Sequence, residues 1–175
     1  IFLPLALGVM ILAQPFLAAW VGAAYGQYAY LVVILTLAGF MATSQWPAGA
    51  ILQGIGKHRM LALIALGAAL ANLGLSLALV GPLGLAGVAL GTLIPTTIES
   101  LFFVLPYVMR VNQISVRTIL TEIYLPALLP AVPMAIVLYG LREIARPVSL
   151  IEIAAIGGLS LLVYVIGYAA LGAGR

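Results

Sequence analysis

Glu99 is the residue in this sequence best placed to do chemistry, because it lies inside a long apolar run. The stretch GTLIPTTIESLFF, residues 91–103, also contains Thr92, Thr96 and Ser100. At 3.6 residues per turn, these four side chains fall within roughly a third of the helix circumference. The pattern predicts a polar face on which Glu99 is a proton- or cation-responsive acid lining a translocation path. The alternative is a neutral Glu99 that is hydrogen-bonded to another helix.

Pro95 lies in the same stretch and removes one amide donor from the predicted helix. The carbonyl of Gly91 would otherwise accept a hydrogen bond from the amide at position 95, so we expect a kink there. The hydroxyl groups of Thr92 and Thr96 are placed to satisfy the freed carbonyl, as side chains do in membrane helices.

Asn72 and Gln45 are further candidates for a polar path. Asn72 and Ser76 are one turn apart on a helical face that also carries two alanines. Small residues at this spacing favour close helix packing, with a cavity wall as the alternative. Gln45 belongs to the polar, kinkable stretch TSQWPAG, residues 43–49, and is a candidate to face a cavity and hydrogen-bond to a polar ligand. Gln14, which precedes a proline, is a candidate of the same kind.

Three prolines predict a bend or hinge in one helix. Pro126, Pro130 and Pro133 share one helical face with Glu122. Because proline interrupts the helical hydrogen-bond ladder, a straight helix is not expected here. Such a bend can serve as a hinge between moving lobes, and the alternative is a static kink filled by neighbouring side chains.

Basic residues are few and lie mainly between the apolar runs. They have two interpretations. They are either signals that set the orientation of the spans or a site for an anionic lipid at the inner leaflet. The four candidates for that inner-leaflet set are Lys57, Arg59, Arg110 and Arg117.

The composition identifies lipid as the solvent of this chain. Hydrophobic residues make up 65% and charged residues 6%, whereas a soluble domain carries about 25% charged residues. The net charge of +3 therefore reflects membrane topology, and no nucleic-acid partner is expected. Because there is no cysteine and the only histidine is His58, neither a metal site nor a cofactor is predicted.

The elements that position these residues are six predicted membrane-spanning helices, each about 20 residues or longer. They form an all-α polytopic bundle, with the whole of residues 1–175 as one domain. The predicted spans cover residues 1–20, 28–54, 58–80, 85–109, 118–141 and 148–171. The sixth begins with the capping box SLIE, residues 149–152.

The distribution of basic residues predicts the orientation. In a six-span chain, one side carries Lys57, Arg59, Arg110, Arg117 and Arg175, and the other carries Arg142 and Arg146. The positive-inside rule places the larger set, and both ends of the chain, in the cytoplasm. The sequence starts inside an apolar segment without an initiator methionine, so we expect it to be a piece of a longer protein.

Residues 51–95, ILQGIGKHRMLALIALGAALANLGLSLALVGPLGLAGVALGTLIP, carry a family resemblance. The motifs LQGIGKHR, ANLGLSLALV and GPLGLAGVALGT, together with WVGAAY at residues 20–25, resemble the C-terminal half of bacterial polysaccharide flippases. This family belongs to the multidrug/oligosaccharidyl-lipid/polysaccharide exporter superfamily. Val88 stands between Gly87 and Ala89, where the family has adjacent glycine and alanine.

The resemblance implies the second lobe of a transporter with twelve or more helices in the bacterial cytoplasmic membrane. It implies export of a lipid-linked oligosaccharide by alternating access, with a missing N-terminal lobe as partner. A proton or sodium ion is the expected coupling ion. The alternative within the superfamily is a cation-coupled multidrug extrusion transporter. A membrane enzyme acting on isoprenoid-linked sugars is not favoured, because the four carboxylates are dispersed along the chain.

Overall fold

The protein is an all-α multi-pass membrane protein. The computed structural model describes residues 2–173, and these residues are almost entirely helical and contain no strand. Ile1, in the first predicted span, and Arg175, one of the predicted cytoplasmic basic residues, lie outside the described residues. The predicted fold class is confirmed, because the apolar runs fold into helices long enough to cross a bilayer.

Six segments within the described residues are long and apolar enough to span a membrane. They cover Phe2–Trp20, Ala23–Gly54, His58–Leu83, Leu85–Asn112, Val116–Ala145 and Leu150–Leu171. The largest difference from the predicted limits is at the start of the second span, which was expected at residue 28. A short 3₁₀ helix, Ala23–Tyr28, extends that span toward its N-terminal end.

Three of the six spans are single helices and three are interrupted. The single helices are α1 (Phe2–Trp20), α4 (His58–Leu83) and α9 (Leu150–Ala173). The second span continues from its 3₁₀ helix into α2 (Ala29–Ser44) and α3 (Trp46–Gly54). The fourth span contains α5 (Leu85–Ile98), the first π segment (Glu99–Val104) and α6 (Leu105–Asn112). The fifth contains α7 (Val116–Thr118), the second π segment (Ile119–Tyr124) and α8 (Leu125–Ala145).

Each π segment ends at a Leu-Pro pair. The Leu105 N–H donates to the Ser100 carbonyl, and the Leu125 N–H donates to the Leu120 carbonyl, which is the i→i+5 pattern of a π turn. Pro106 lies in the first turn of α6, and Pro126 lies in the first turn of α8. Because the first turn needs no internal amide donor, a proline is tolerated there.

Contacts divide the chain into two compact units, and α1, α8 and α9 pack together in the first. This unit comprises residues 2–33 and 117–173 of the described chain. Its buried core contains Leu12, Ala131, Met134, Leu138, Ile153, Ile156 and Tyr164. The predicted capping box begins α9, since the Glu152 N–H donates to the Ser149 hydroxyl over 3.3 Å and the Ser149 N–H donates to the Glu152 carboxylate over 3.2 Å.

The second unit, Ile34–Val116, is organised around a tight hairpin of α4 and α5. The two helices join at Gly84, whose φ of 56° and ψ of −134° favour glycine over other residues. A Cβ added at Gly87 would overlap the backbone of Leu79, and one added at Gly91 would overlap Ser76. Two glycines spaced by four residues therefore bring the helix backbones into direct contact.

Candidate functional site

The second span is broken where α2 ends, at Gln45. Pro47 follows in the first turn of α3 and has no amide hydrogen to continue the helical ladder. The Gln45 N–H donates to the Ala42 carbonyl over 3.2 Å, in place of the Met41 carbonyl that an unbroken α-helix would offer. The break therefore leaves the Met41 carbonyl available to side-chain donors.

Two serine hydroxyls donate to that carbonyl. Ser44 reaches the Met41 oxygen over 2.8 Å from its own helix, and Ser100 reaches it over 3.3 Å from the first π segment. The Ser100 side chain is 2% exposed. This hydrogen bond joins two irregular stretches of backbone inside membrane spans, an arrangement found where backbone is buried in protein or lines a cavity.

A groove of about 750 Å³ lies between α4 and the fourth span, and the first π segment forms part of its wall. On the α4 side it is lined largely by small residues, which leave open space next to the helix backbone. The fourth span contributes Ile94, Pro95, Ile98, Glu99 and Phe103, and α4 contributes Met60, Leu63, Ile64, Gly67, Ala68, Ala71, Gly74, Leu75 and Ala78.

Glu99 is the only polar side chain that lines this groove within residues 2–173. It is half-buried at the first residue of the first π segment. No side chain in the described part of the chain forms a hydrogen bond or ion pair with its carboxylate. An ionised carboxylate is unfavourable in an apolar site.

The other polar residues predicted on the face of Glu99 point elsewhere. Neighbouring residues on a helix project about 100° apart, so Glu99 faces the groove while Ser100 faces α2. Thr92 and Thr96 do not line the groove. The expectation that Thr92 bonds to the Gly91 carbonyl is wrong, because its hydroxyl donates to the Val88 carbonyl over 3.3 Å.

Asn72 and Gln45 also lie away from the groove. The Ser76 hydroxyl donates to the Asn72 amide oxygen over 3.2 Å, and Ser76 packs against Gly91. Asn72 therefore stands next to the contact between α4 and α5. The Gln45 amide donates to the Ser44 hydroxyl over 3.3 Å, at the break in the second span. Their participation in a transport path stays a prediction.

The three prolines predicted to form a hinge occupy different environments. Pro126 lies at the start of α8, immediately after the second π segment. Pro130 is buried, and a Cβ added at Gly167 of α9 would lie 3.1 Å from its Cβ atom. Pro133 lies inside α8 and is exposed. The irregular turn in this span is the π segment, which precedes all three prolines.

The predicted inner-leaflet basic residues are all exposed. Lys57 lies in the turn before α4, and Arg59 lies in the first turn of that helix. Arg110 is in the last turn of α6, whereas Arg117 is in α7 of the other compact unit. Exposure of these side chains suits contact with lipid headgroups.

Arg142 forms hydrogen bonds to α1, a structural role that the positive-inside rule does not predict. Its guanidinium donates to the Ile11 carbonyl over 3.0 Å and to the Gln14 amide oxygen over 2.9 Å. Pro15 lacks the amide hydrogen that the Ile11 carbonyl would accept in a regular helix. The signal in the sequence was Pro15 itself, because a proline within a span frees the carbonyl four residues earlier.

Comparisons with protein-family models, with curated proteins and with solved structures found no match. The resemblance to polysaccharide flippases therefore depends on the motifs in residues 20–25 and 51–95 and stays a prediction.

Proposed function

We propose that this chain is part of a bacterial cytoplasmic-membrane transporter that exports a lipid-linked oligosaccharide by alternating access. The observation that carries the proposal is the carboxylate of Glu99, which lines an apolar groove of about 750 Å³ within a membrane span. Ionisable groups inside membrane spans commonly mark substrate or ion pathways. The flippase resemblance supplies the substrate class and implies a second six-helix lobe as partner.

The apolar groove suits the hydrocarbon part of a lipid-linked substrate. Its α4 wall contains Gly67, Ala71 and Gly74, and no atom lies within 4 Å of a Cβ added at Gly67 or at Gly74. Hydrocarbon can therefore lie close to the helix backbone without displacing a side chain. Dispersion contacts along such a wall are individually weak and collectively large.

Glu99 is proposed to act as a coupling or gating acid, since a carboxylate repels the phosphate groups of a lipid carrier. Binding of a proton or sodium ion neutralises it and makes an apolar environment acceptable. If one conformation exposes Glu99 to water and the other encloses it, the cation binds the two with different affinities. That difference is what shifts a conformational equilibrium.

A cation-coupled multidrug transporter is the second candidate, and the lining of the groove favours it. Apolar walls with a single carboxylate form a suitable site for an amphiphilic organic cation. In that case Glu99 contacts the substrate directly, and substrate and coupling ion compete for the same carboxylate.

The test is transport in proteoliposomes by the transporter that contains this chain and its second lobe, under an imposed proton or sodium gradient. One arm follows a fluorescent lipid-linked oligosaccharide, and the other follows a lipophilic cationic dye. Glu99→Gln is compared with Glu143→Gln, the matched loss of one carboxylate at an exposed position near the end of α8. We expect Glu99→Gln to slow gradient-driven transport by about tenfold or more, the factor that 1.4 kcal/mol of lost differential binding represents.

The two arms separate the candidates. Transport of the oligosaccharide alone supports the flippase, and transport of the dye alone supports the drug exporter. Transport at the wild-type rate by Glu99→Gln would refute the role of Glu99. Movement of neither substrate by the wild-type protein would refute the proposed function.

A further inference from the structure

A second groove in the unit Ile34–Val116 has a different chemical character from the groove that contains Glu99. Its volume is about 630 Å³, and it lies where the fourth span ends. We refer to it as the Arg110 groove. Its lining residues are Leu101, Leu105, Pro106, Met109, Arg110, Gln113, Ile114, Ser115 and Val116.

The backbone at the end of α6 is closed by its own hydrogen bonds. Gln113 adopts a left-handed conformation, with φ of 55° and ψ of 33°, and its N–H donates to the Met109 carbonyl. The Ile114 N–H donates to the same oxygen over 3.0 Å, and the Gln113 side-chain amide donates to the Arg110 carbonyl over 3.0 Å. The turn therefore needs no hydrogen bond from the Arg110 side chain.

The guanidinium of Arg110 is exposed, and it forms no ion pair or hydrogen bond with another group in residues 2–173. The nearest apolar lining comes from Leu105, Pro106 and Met109, in the turns of the fourth span just before it. A positive charge therefore stands at the end of an apolar surface, and that end is also the end of a membrane span.

The ligand that fits this arrangement is a lipid with an anionic headgroup. Guanidinium groups pair with phosphate through two parallel hydrogen bonds, and basic residues next to membrane spans bind anionic lipids. The apolar side chains run from that level toward the hydrocarbon, in the direction that an acyl chain takes.

We propose that the Arg110 groove binds an anionic glycerophospholipid, with the lipid phosphate on Arg110 and an acyl chain along Leu101, Leu105 and Pro106. This site is separate from the groove that contains Glu99 and does not depend on transport activity. The occupant is a component of the surrounding bilayer and not a transported substrate.

The experiment measures lipid retention by the purified 175-residue chain in detergent, using native mass spectrometry. The probes are phosphatidylglycerol and phosphatidylcholine with identical acyl chains, offered in equal amounts. We expect the wild-type protein to retain phosphatidylglycerol preferentially. Arg110→Gln should reduce that preference by about fivefold, the effect of removing one basic residue at an anionic membrane surface.

Arg146→Gln is the matched control, since it removes the same charge from an exposed position that does not line the Arg110 groove. It should keep the wild-type preference. Arg110→Lys should keep part of it, because lysine retains the charge and loses the two parallel hydrogen bonds. A water-soluble competitor, glycerol phosphate, tests whether the headgroup alone is sufficient.

Three results would overturn the proposal. One is the absence of any phosphatidylglycerol preference in the wild-type protein, which requires no variant. Another is an equal loss of preference in Arg146→Gln and Arg110→Gln, which would indicate general surface charge. The third is full displacement of the lipid by millimolar glycerol phosphate, which would indicate an anion site without an acyl-chain contribution.

Discussion

The hydrogen bonds of Arg142 lead to a double-mutant prediction. Arg142→Met removes the donors to the Ile11 carbonyl and to the Gln14 side chain, which lie 3.0 and 2.9 Å away. Methionine keeps an unbranched side chain of similar length and cannot donate a hydrogen bond. With Pro15 present, no helical amide can replace the lost donor to Ile11, and that carbonyl stays unsatisfied among apolar groups.

The expected cost follows from these two bonds. Side-chain hydrogen bonds in a membrane protein average about 0.6 kcal/mol and reach about 1.7 kcal/mol, and bonds to charged groups lie at the upper end of the general range. Arg142→Met should therefore lower the free energy of unfolding by about 1 to 3 kcal/mol. In a Pro15→Ala background, the amide of the new alanine can pair with Ile11, so the same substitution should cost about 1 kcal/mol less.

Reversible unfolding in mixed micelles of dodecyl maltoside and sodium dodecyl sulfate measures the cycle. Trp20, at the end of α1, provides a fluorescence signal in the helix that Arg142 contacts. Gln14→Ala is the control, because its coupling to Arg142 does not involve the amide at position 15 and should persist in the Pro15→Ala background. Strict additivity of Pro15→Ala and Arg142→Met would refute the assignment of Arg142 as the donor that replaces the missing amide.

Two further stability predictions concern the second unit. Gly91→Ala should destabilise this unit by about 1 to 3 kcal/mol, because the added methyl group overlaps Ser76. The control Gly67→Ala adds the same group to open space and should be nearly neutral or stabilising. Equal effects of the two substitutions in the same micelle unfolding assay would contradict the close packing of α4 and α5. Ser100→Ala should lower the free energy of unfolding by about 0.6 kcal/mol, because the hydrogen bond to the Met41 carbonyl is lost. An unchanged midpoint of the unfolding transition would show that this bond contributes no net stability.

The sequence predicts the membrane spans well and their irregular turns poorly. Span limits follow from local hydropathy and length, so agreement at residues such as Trp20, Gly54 and His58 needs no tertiary information. Pro47 and Pro95 predict kinks in their spans. The sequence does not predict the π turn before Pro106. A proline restricts the backbone of the preceding residue, but it does not specify whether the helix there will kink, end or form a π turn.

The candidate site was predictable only in part for a similar reason. Helical periodicity identified Glu99 as a polar residue in a span, and it grouped Ser100 on the same face. Which neighbour each side chain meets depends on the helices that pack on either side. The acceptor for Ser100 exists because α2 breaks at a distant point in the sequence, and the partner of Arg142 is the Ile11 carbonyl that Pro15 leaves free. Such pairings are properties of the tertiary structure.

The α4–α5 hairpin has a consequence for biogenesis. Its turn, residues 81–85, contains only glycine, proline and leucine, so transferring it across the bilayer moves no charged side chain. Lys57 immediately precedes α4 and Arg59 lies in its first turn, so we expect both to remain on the side from which the hairpin enters. Because Gly87 and Gly91 allow direct contact with α4, we expect the two helices to enter the membrane as a pair. The remaining spans can then assemble against a preformed hairpin.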